Sequence, residues 1–316
     1  MRCFVTLSVA IAMLFAAFVL ADSHETQAVL HRSGEPPTTA RIGVMLPLSG
    51  KKAPIGLQQR QGFELAEERF NADSGIKVKF LFEDTKSDAE VGEAGVRKLI
   101  EREGVSIIFA FPCAIVYKTQ PIANRAGALL MACNMDPRTA QASPRTFRVF
   151  PNLRQQTLVM LRYLGKGDGK QVAVIRLKEP SPDYAVTELL LPALKAEGWQ
   201  VVANATCSMK NRNYEAVVAQ VKAGNPDVVL MYVDNEAVPV LLKLLKQKAL
   251  LGKVKIVGGI SFAFPFKLPS QMLEGITVVA PICALSGRSK LETSWLGQEF
   301  RKRYRKPPPH LCRLLF

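Results

Sequence analysis

Cysteine and histidine are the side chains best suited to nucleophilic or metal chemistry, and their placement in this chain argues against both. Its six cysteines, Cys3, Cys113, Cys133, Cys207, Cys283 and Cys312, include no C-x-x-C pair, the spacing that redox motifs and zinc ribbons use. Its three histidines, His24, His31 and His310, lie at the two ends, so the middle lacks the imidazole of a zinc site or a Ser-His-Asp triad. Two glycine-containing loops fare no better with phosphate. Leu48-Ser49-Gly50-Lys51-Lys52 lacks G-x-G-x-x-G, and Gly165-Lys166-Gly167-Asp168-Gly169-Lys170 misses the Walker A spacing. No metal, no cofactor and no enzymatic activity are expected, with a nucleotide-using α/β enzyme as a lesser alternative. Cys113 and Cys133 follow neighbouring apolar runs, where a bridge and a pair of inert buried thiols both fit.

Charge gives a second lead that weakens on mapping. The 316 residues are 48% apolar and 22% charged, with 42 Lys and Arg against 27 Asp and Glu, a net charge of +15. Such a balance first points to nucleic acid or an acidic surface. Residues 288–316, however, hold eight Lys and Arg against only Glu292 and Glu299, and no long basic run occurs elsewhere. Aromatic interleaving within the basic run Arg301–Lys306 is limited to Tyr304, so no nucleic-acid partner is expected.

The elements that would position a site begin after a long leader. Arg2 followed by the uncharged apolar run Phe4–Leu20 and a small residue, Ala21, reads as a secretory signal peptide over 1–21, which places the mature protein in the periplasm. Residues 22–40 are polar and turn-rich and read as a flexible leader. From Arg41, short apolar runs alternate with helical patterns: Ile42–Leu46, Leu57–Asn71, Val78–Phe82, Asp88–Glu103 and Ser106–Phe111. That alternation predicts a parallel sheet covered by helices on both faces. In the helix near Asp88, Ser87 and Glu90 have capping-box spacing, Glu93 and Arg97 form an i,i+4 pair, and Gly104 stands where a C-terminal glycine is expected. Further strands are predicted at Ala128–Ala132, Gln171–Leu177, Gln200–Cys207, Asp227–Val233, Lys255–Val257 and Ile276–Ile282. Helices are predicted at Ala114–Ala126, Gln155–Leu164, Tyr184–Glu197, Tyr214–Lys222 and Glu236–Leu250. An irregular stretch, Asp136–Pro151, divides the series into two doubly wound α/β lobes joined near Phe147–Asn152 and again near Val279–Gly287.

An ordered series of motifs now becomes specific. Arg41-Ile-Gly-Val-Met-Leu-Pro-Leu-Ser49-Gly50, Gly56, the segment Asn71–Ile76 and Phe82-Glu83-Asp84-Thr85 lead it. Thr119-Gln120-Pro121, Phe147-Arg148-Val149, Pro182-Asp183-Tyr184, Asn213-Tyr214 and Asn225–Val229 follow. From Arg41 to Lys306 the chain resembles the leucine/isoleucine/valine-binding protein family, the periplasmic substrate-binding receptors of branched-chain amino-acid ABC transporters. The resemblance implies a type I periplasmic-binding-protein fold: lobe 1 at 41–150, lobe 2 at 151–280, and a return to lobe 1 over 281–316 ending in the basic tail. It implies a monomer that closes on an amino acid or related small ligand and delivers it to a membrane permease.

The ligand loops depart from the family pattern. Where such receptors offer hydroxyls to the ligand, the loops here read Phe111-Pro112-Cys113-Ala114 and Ala132-Cys133-Asn134-Met135-Asp136, and Ile260 stands where an acid usually meets the ammonium. The ligand-binding residues expected by position are Cys113, Ala114, Asn134, Met135, Asp136, Tyr184 and Asp234. Tyr184 equally fits packing at a helix start, residues 134–136 a turn before Pro137, and Asp234 a helix N-cap. After Pro309 the chain reads His310-Leu-Cys-Arg-Leu-Leu-Phe316, where the family pattern continues with further helices. A truncation or frameshift near Pro309 is therefore expected, and a degenerate homologue without transport activity is the alternative it raises.

Overall fold

The computed structural model describes residues 39–280 and 294–305 apart from 75, 209–210, 212 and 264–267. The predicted signal peptide, most of the leader, the second lobe connection and the end of the tail lie outside the described residues. Within them, lobe 1 comprises strands β1 (Thr39–Leu46), β2 (Lys77–Asp84), β3 (Ile107–Ala110), β4 (Leu129–Ala132) and β5 (Thr146–Arg148). Helices α1 (Ala53–Asp73), α2 (Ala89–Glu101) and α3 (Cys113–Arg125) connect them. Lobe 2 carries β6 (Gln171–Leu177), β7 (Gln200–Cys207), β8 (Val228–Tyr232), β9 (Lys255–Gly258) and β10 (Thr277–Val278). Its helices are α4 (Leu153–Leu164), α5 in three consecutive pieces (Pro180–Tyr184, Ala185–Leu190, Leu191–Ala196), α6 (Tyr214–Ala223) and α7 (Ala237–Gln247). A last helix, α8 (Trp295–Tyr304), packs on α1.

Both sheets are parallel and share one topology. Their orders are β2-β1-β3-β4-β5 and β10-β9-β8-β6-β7, so in each the chain winds one way from its first strand and then the other. The strand runs are nearly continuous in apolar residues because both faces are buried. On β6, Val172 and Val174 pack with Met160 of α4 and Leu190 and Leu194 of α5, while Ala173 and Ile175 face Val218 of α6 and Leu241 of α7. Lobe 1 repeats the pattern: Met45, Ile108 and Leu130 meet Val96 and Leu99 of α2, and Val44, Leu46 and Phe109 meet Phe63 of α1. Gly56 is needed for α1 to start so close to β1, since a Cβ there would fall 2.0 Å from the Pro47 carbonyl oxygen.

Several local expectations shift. Thr39 and Ala40, assigned to the leader by sequence, belong to β1, with Thr39 paired with Lys77. Ser87 does not cap α2. Its φ is +61°, and Asp88 takes the cap, accepting from Glu90 N at 2.9 Å and Val91 N at 3.0 Å. The ion pair of Glu93 with Arg97 forms at 3.0 Å, and Gly104 adopts φ +64° just beyond the helix. Because a carboxylate cap satisfies orphan N–H groups and favours the positive helix end, Asp88→Ala is expected to cost about 1 kcal/mol in urea unfolding. The stretch Asp136–Pro151 is irregular except for a short 3₁₀ turn, Thr139–Gln141, and the edge strand β5, which is too short to show a period. The helix expected over Tyr184–Glu197 starts earlier and contains a π-helical turn just before Leu191-Pro192, where the ring removes a backbone donor.

Candidate functional site

In open parallel sheets, ligands bind beyond the carboxyl ends of strands where the winding direction reverses. Here that point lies between β1 and β3 in lobe 1 and between β6 and β8 in lobe 2. Every sequence-predicted site residue lies either in the loops after β4 and β8 (Asn134, Met135, Asp136 and Asp234) or at the start of the helices that follow β3 and β6 (Cys113, Ala114 and Tyr184).

Asp136, four residues beyond β4, is 1% exposed. The Asp136-Pro137-Arg138 turn folds the guanidinium back onto it: Arg138 Nε donates to Oδ1 at 3.0 Å, Nη2 to Oδ2 at 2.6 Å, and the Arg138 backbone N–H to Oδ1 at 2.9 Å. Tyr117 of α3 adds its hydroxyl to Oδ2 at 2.8 Å. A phenol has one proton to give, so the 2.8 Å contact between the Tyr117 hydroxyl and Ser181 Oγ has the serine as donor. Burial alone would raise the Asp136 carboxyl, but the Arg138 guanidinium and N–H and the Tyr117 hydroxyl reverse that and hold it below its ordinary value.

These contacts cross between the lobes. Ser181 lies in the first turn of α5 in lobe 2, Arg138 Nη2 donates to Pro180 O at 3.2 Å, and the Arg138 guanidinium lies 4.4 Å from the centre of the Tyr184 ring. A separate ion pair, Lys51 with Glu236 at 2.6 Å, joins the loop after β1 to the loop after β8. At the crossing point itself, Leu153 N donates to Met135 O at 2.9 Å, and Asn152 and Gln155 complete a capping box on α4.

The predicted residues divide accordingly. Cys113, the first residue of α3, receives the Met135 backbone N–H at its thiol and lies in the field of Asp136 and Glu179. Met135 packs against the lobe 2 core beside Leu153 and Met160. Tyr184 reaches Asp136 through the stacked Arg138. Ala114 is exposed on the first turn of α3. Asp234 stands apart at the end of β8, where its Oδ1 accepts from Ala237 N at 2.8 Å as a helix cap, and Ile260 is buried. Asn134 is 2% exposed; its Nδ2 donates to Thr139 Oγ1 at 2.7 Å, and its Oδ1 has no partner among the described residues. Spacing gave no hint of Tyr117, Arg138 or Ser181. A D-P-R turn has no period to mark it, and Tyr117 and Ser181 lie in different lobes.

Nucleophilic chemistry finds little footing. Cys113, Cys133 and Cys207 are free thiols, and burial pushes all three up, Cys207 to about 11, so the thiolate is disfavoured. No group of three His, Cys, Asp or Glu side chains suited to a metal occurs among the described residues, and none of their helices is long and apolar enough to cross a membrane. Beside the cross-lobe cluster, a polar cavity of about 420 Å³ opens along β6 and β7, lined by Arg176, Lys178, Asp183 and Thr206 among others.

Two lobes of this winding, meeting through strand-end loops, also have a match in sequence. A family model described as periplasmic binding protein matches residues 39–311. The chain belongs to the periplasmic binding protein family. A curated relative, Leu/Ile/Val-binding protein homolog 3 of Brucella melitensis, is 25% identical over 195 residues, 60% of this chain and 52% of the relative. This periplasmic binding protein thus matches about half the length of that relative. Among solved structures, it resembles a Thermotoga maritima leucine-binding protein with a TM-score of 0.68 and 19% identity, covering 87% of this chain and 79% of that one. It resembles a Rhodopseudomonas palustris ABC-transporter solute-binding protein in complex with benzoate at TM-score 0.70 and 18% identity, covering 88% and 78%. A second from R. palustris BisB5, in complex with 3,4-dihydroxybenzoic acid, gives 0.67 and 17% over 88% and 78%. At such identities the structural likenesses establish the type I fold of two parallel α/β lobes.

Proposed function

We propose that this protein is a solute-binding receptor, exported to the periplasm, that closes on an amino acid or related small ligand and presents it to an ABC-transporter permease. It works as a monomer, by binding and without catalysis. The observation that carries this reading is the meeting of strand-end loops from both lobes at Asp136, Tyr117, Ser181, Arg138 and Tyr184. A ligand shifts an open–closed equilibrium only by its differential affinity for the two states, and a site contacted from both lobes supplies that difference.

One observation favours small carboxylates over zwitterionic amino acids within this reading. Asp136, the buried acid of the cluster, is already spent on Arg138, and Ile260 offers no charge to an ammonium. Losing one charge-assisted bond costs about 1.5–3 kcal/mol, or roughly 10- to 150-fold in affinity. The benzoate and dihydroxybenzoate named for two structural neighbours are ligands of that carboxylate class.

Thermal unfolding of the mature chain against amino acids, their amides and aromatic carboxylates tests the proposal. A true ligand at about a hundred times its Kd stabilises by about 2.7 kcal/mol, which raises the midpoint by several degrees. A cooperative transition that moves with none of these classes would overturn it, and the absence of any cooperative transition would support the degenerate-homologue alternative.

A further inference from the structure

Among the described residues beside the cross-lobe cluster, Arg148 is a half-buried cation that enters no ion pair. Arg148 ends β5, paired with Ala132 of β4, one strand from the Asn134–Asp136 loop and immediately before the chain crosses to lobe 2. Its face of the sheet is fixed by Thr146, two residues earlier, whose Oγ1 accepts from Gln120 Nε2 at 3.1 Å. The same Gln120 nitrogen donates to Thr139 O at 2.7 Å, and Thr139 Oγ1 holds the Asn134 amide. Asn134, whose Oδ1 has no hydrogen-bond partner among the described residues, thus joins a chain of hydrogen bonds that ends at Thr146, on the same face of the strand as Arg148.

The guanidinium is held at its root and free at its tip. Nε donates to Phe150 O at 3.0 Å, yet among the described residues Arg148 enters no ion pair, and Asp136, already bound by Arg138, acts on it only through space. Partial burial works against its charge. A half-buried cation without a counter-ion is costly, and a bidentate carboxylate is the group that best relieves the cost. The other acid near this end of the cleft, Glu179, is exposed to solvent, where its charge is screened.

Building on the receptor reading above, we infer that Arg148 anchors the carboxylate of the bound ligand. The Asn134 carboxamide oxygen accepts a hydrogen bond from a neutral donor on the same molecule, so the preferred class is hydroxylated monocarboxylates without an α-ammonium.

Titration calorimetry of the mature chain with 4-hydroxybenzoate, 4-hydroxybenzamide and L-leucine tests this, in wild type and in Arg148→Met and Arg148→Lys. Wild type is expected to bind the carboxylate about 30-fold or more tightly than the amide. Arg148→Met should bring the two within a few-fold of each other, and Arg148→Lys should restore part of the preference. A merely structural arginine would weaken both ligands alike and leave their ratio intact, which overturns the inference. Leucine binding more tightly than 4-hydroxybenzoate also overturns it while leaving the receptor reading standing. A folded wild type that binds none of the three overturns the inference, and the receptor reading then falls only if the wider thermal panel also shows no ligand.

Discussion

Arg138→Met is expected to lower the unfolding free energy by about 3 kcal/mol at pH 7, the lower end of the range for stranding a buried charge, because the arginine is itself partly exposed. The cost arises at Asp136, which is 1% exposed and would keep only the Tyr117 hydroxyl and the Arg138 backbone N–H. Replacing both partners, as in Asp136→Asn with Arg138→Met, should recover much of the loss, since a neutral pair leaves no charge to desolvate. The pH dependence gives a second signature. The wild-type Asp136 carboxyl is held below its ordinary value, so its contribution is fully present above the unfolded aspartate range near 4 and is lost as pH falls through the lower folded value. Without the guanidinium, burial dominates and raises the carboxyl. The gap between Arg138→Met and wild type should therefore be widest near pH 7 and narrow toward pH 4.5. Urea unfolding across that interval measures it, and a constant gap would mean that Arg138 acts through packing alone.

Phe300→Ala is expected to cost about 3–4 kcal/mol, expressed first as release of α8 from lobe 1. Phe300 is fully buried, and with Leu296 it meets Leu65 of α1. Around this contact Arg303 makes two bonds of 2.5 Å to Glu68, and the Arg69 guanidinium lies 4.4 Å from the Trp295 ring. These exposed charges contribute little beside the phenyl ring. The same helix carries Arg301, Lys302 and Arg303, so its docking can be read by trypsin. Cleavage after these residues should accelerate strongly in Phe300→Ala while cleavage in lobe 2 stays slow, and equal rates in both proteins would contradict the packing described. The basic run that first pointed to nucleic acid thus sits on a helix whose apolar side is committed to α1.

How much of this could be read from sequence depended on burial. Strands covered on both faces appear as apolar runs, and the boundaries expected for Gln171–Leu177 and Gln200–Cys207 match those observed. The edge strand Thr146–Arg148 has three residues and no second face to fill, so it resembled a loop. The α2 cap was misassigned by one residue because Ser87 and Asp88 are both good caps, and only the backbone, with Ser87 at φ +61°, decides between them. At the candidate site, strand-end position pointed to Cys113, Asn134 and Asp136. Loop sequence cannot reveal that Arg138 turns back on Asp136 or that Tyr117 and Ser181 meet across the lobes. Arg148 was visible only as part of a Phe-Arg-Val motif; its unpaired charge shows once its neighbours are in place.

The central claim, that a small ligand is held by both lobes at once, is tested most directly by amide hydrogen exchange on the mature chain. The protein would be saturated with whichever probe raises its unfolding midpoint most. Simultaneous added protection is expected at residues 111–117 and 133–139 of lobe 1 and at residues 178–185 of lobe 2, with little change in α6. Protection confined to one lobe, or spread evenly over the chain, would contradict a ligand seated between them.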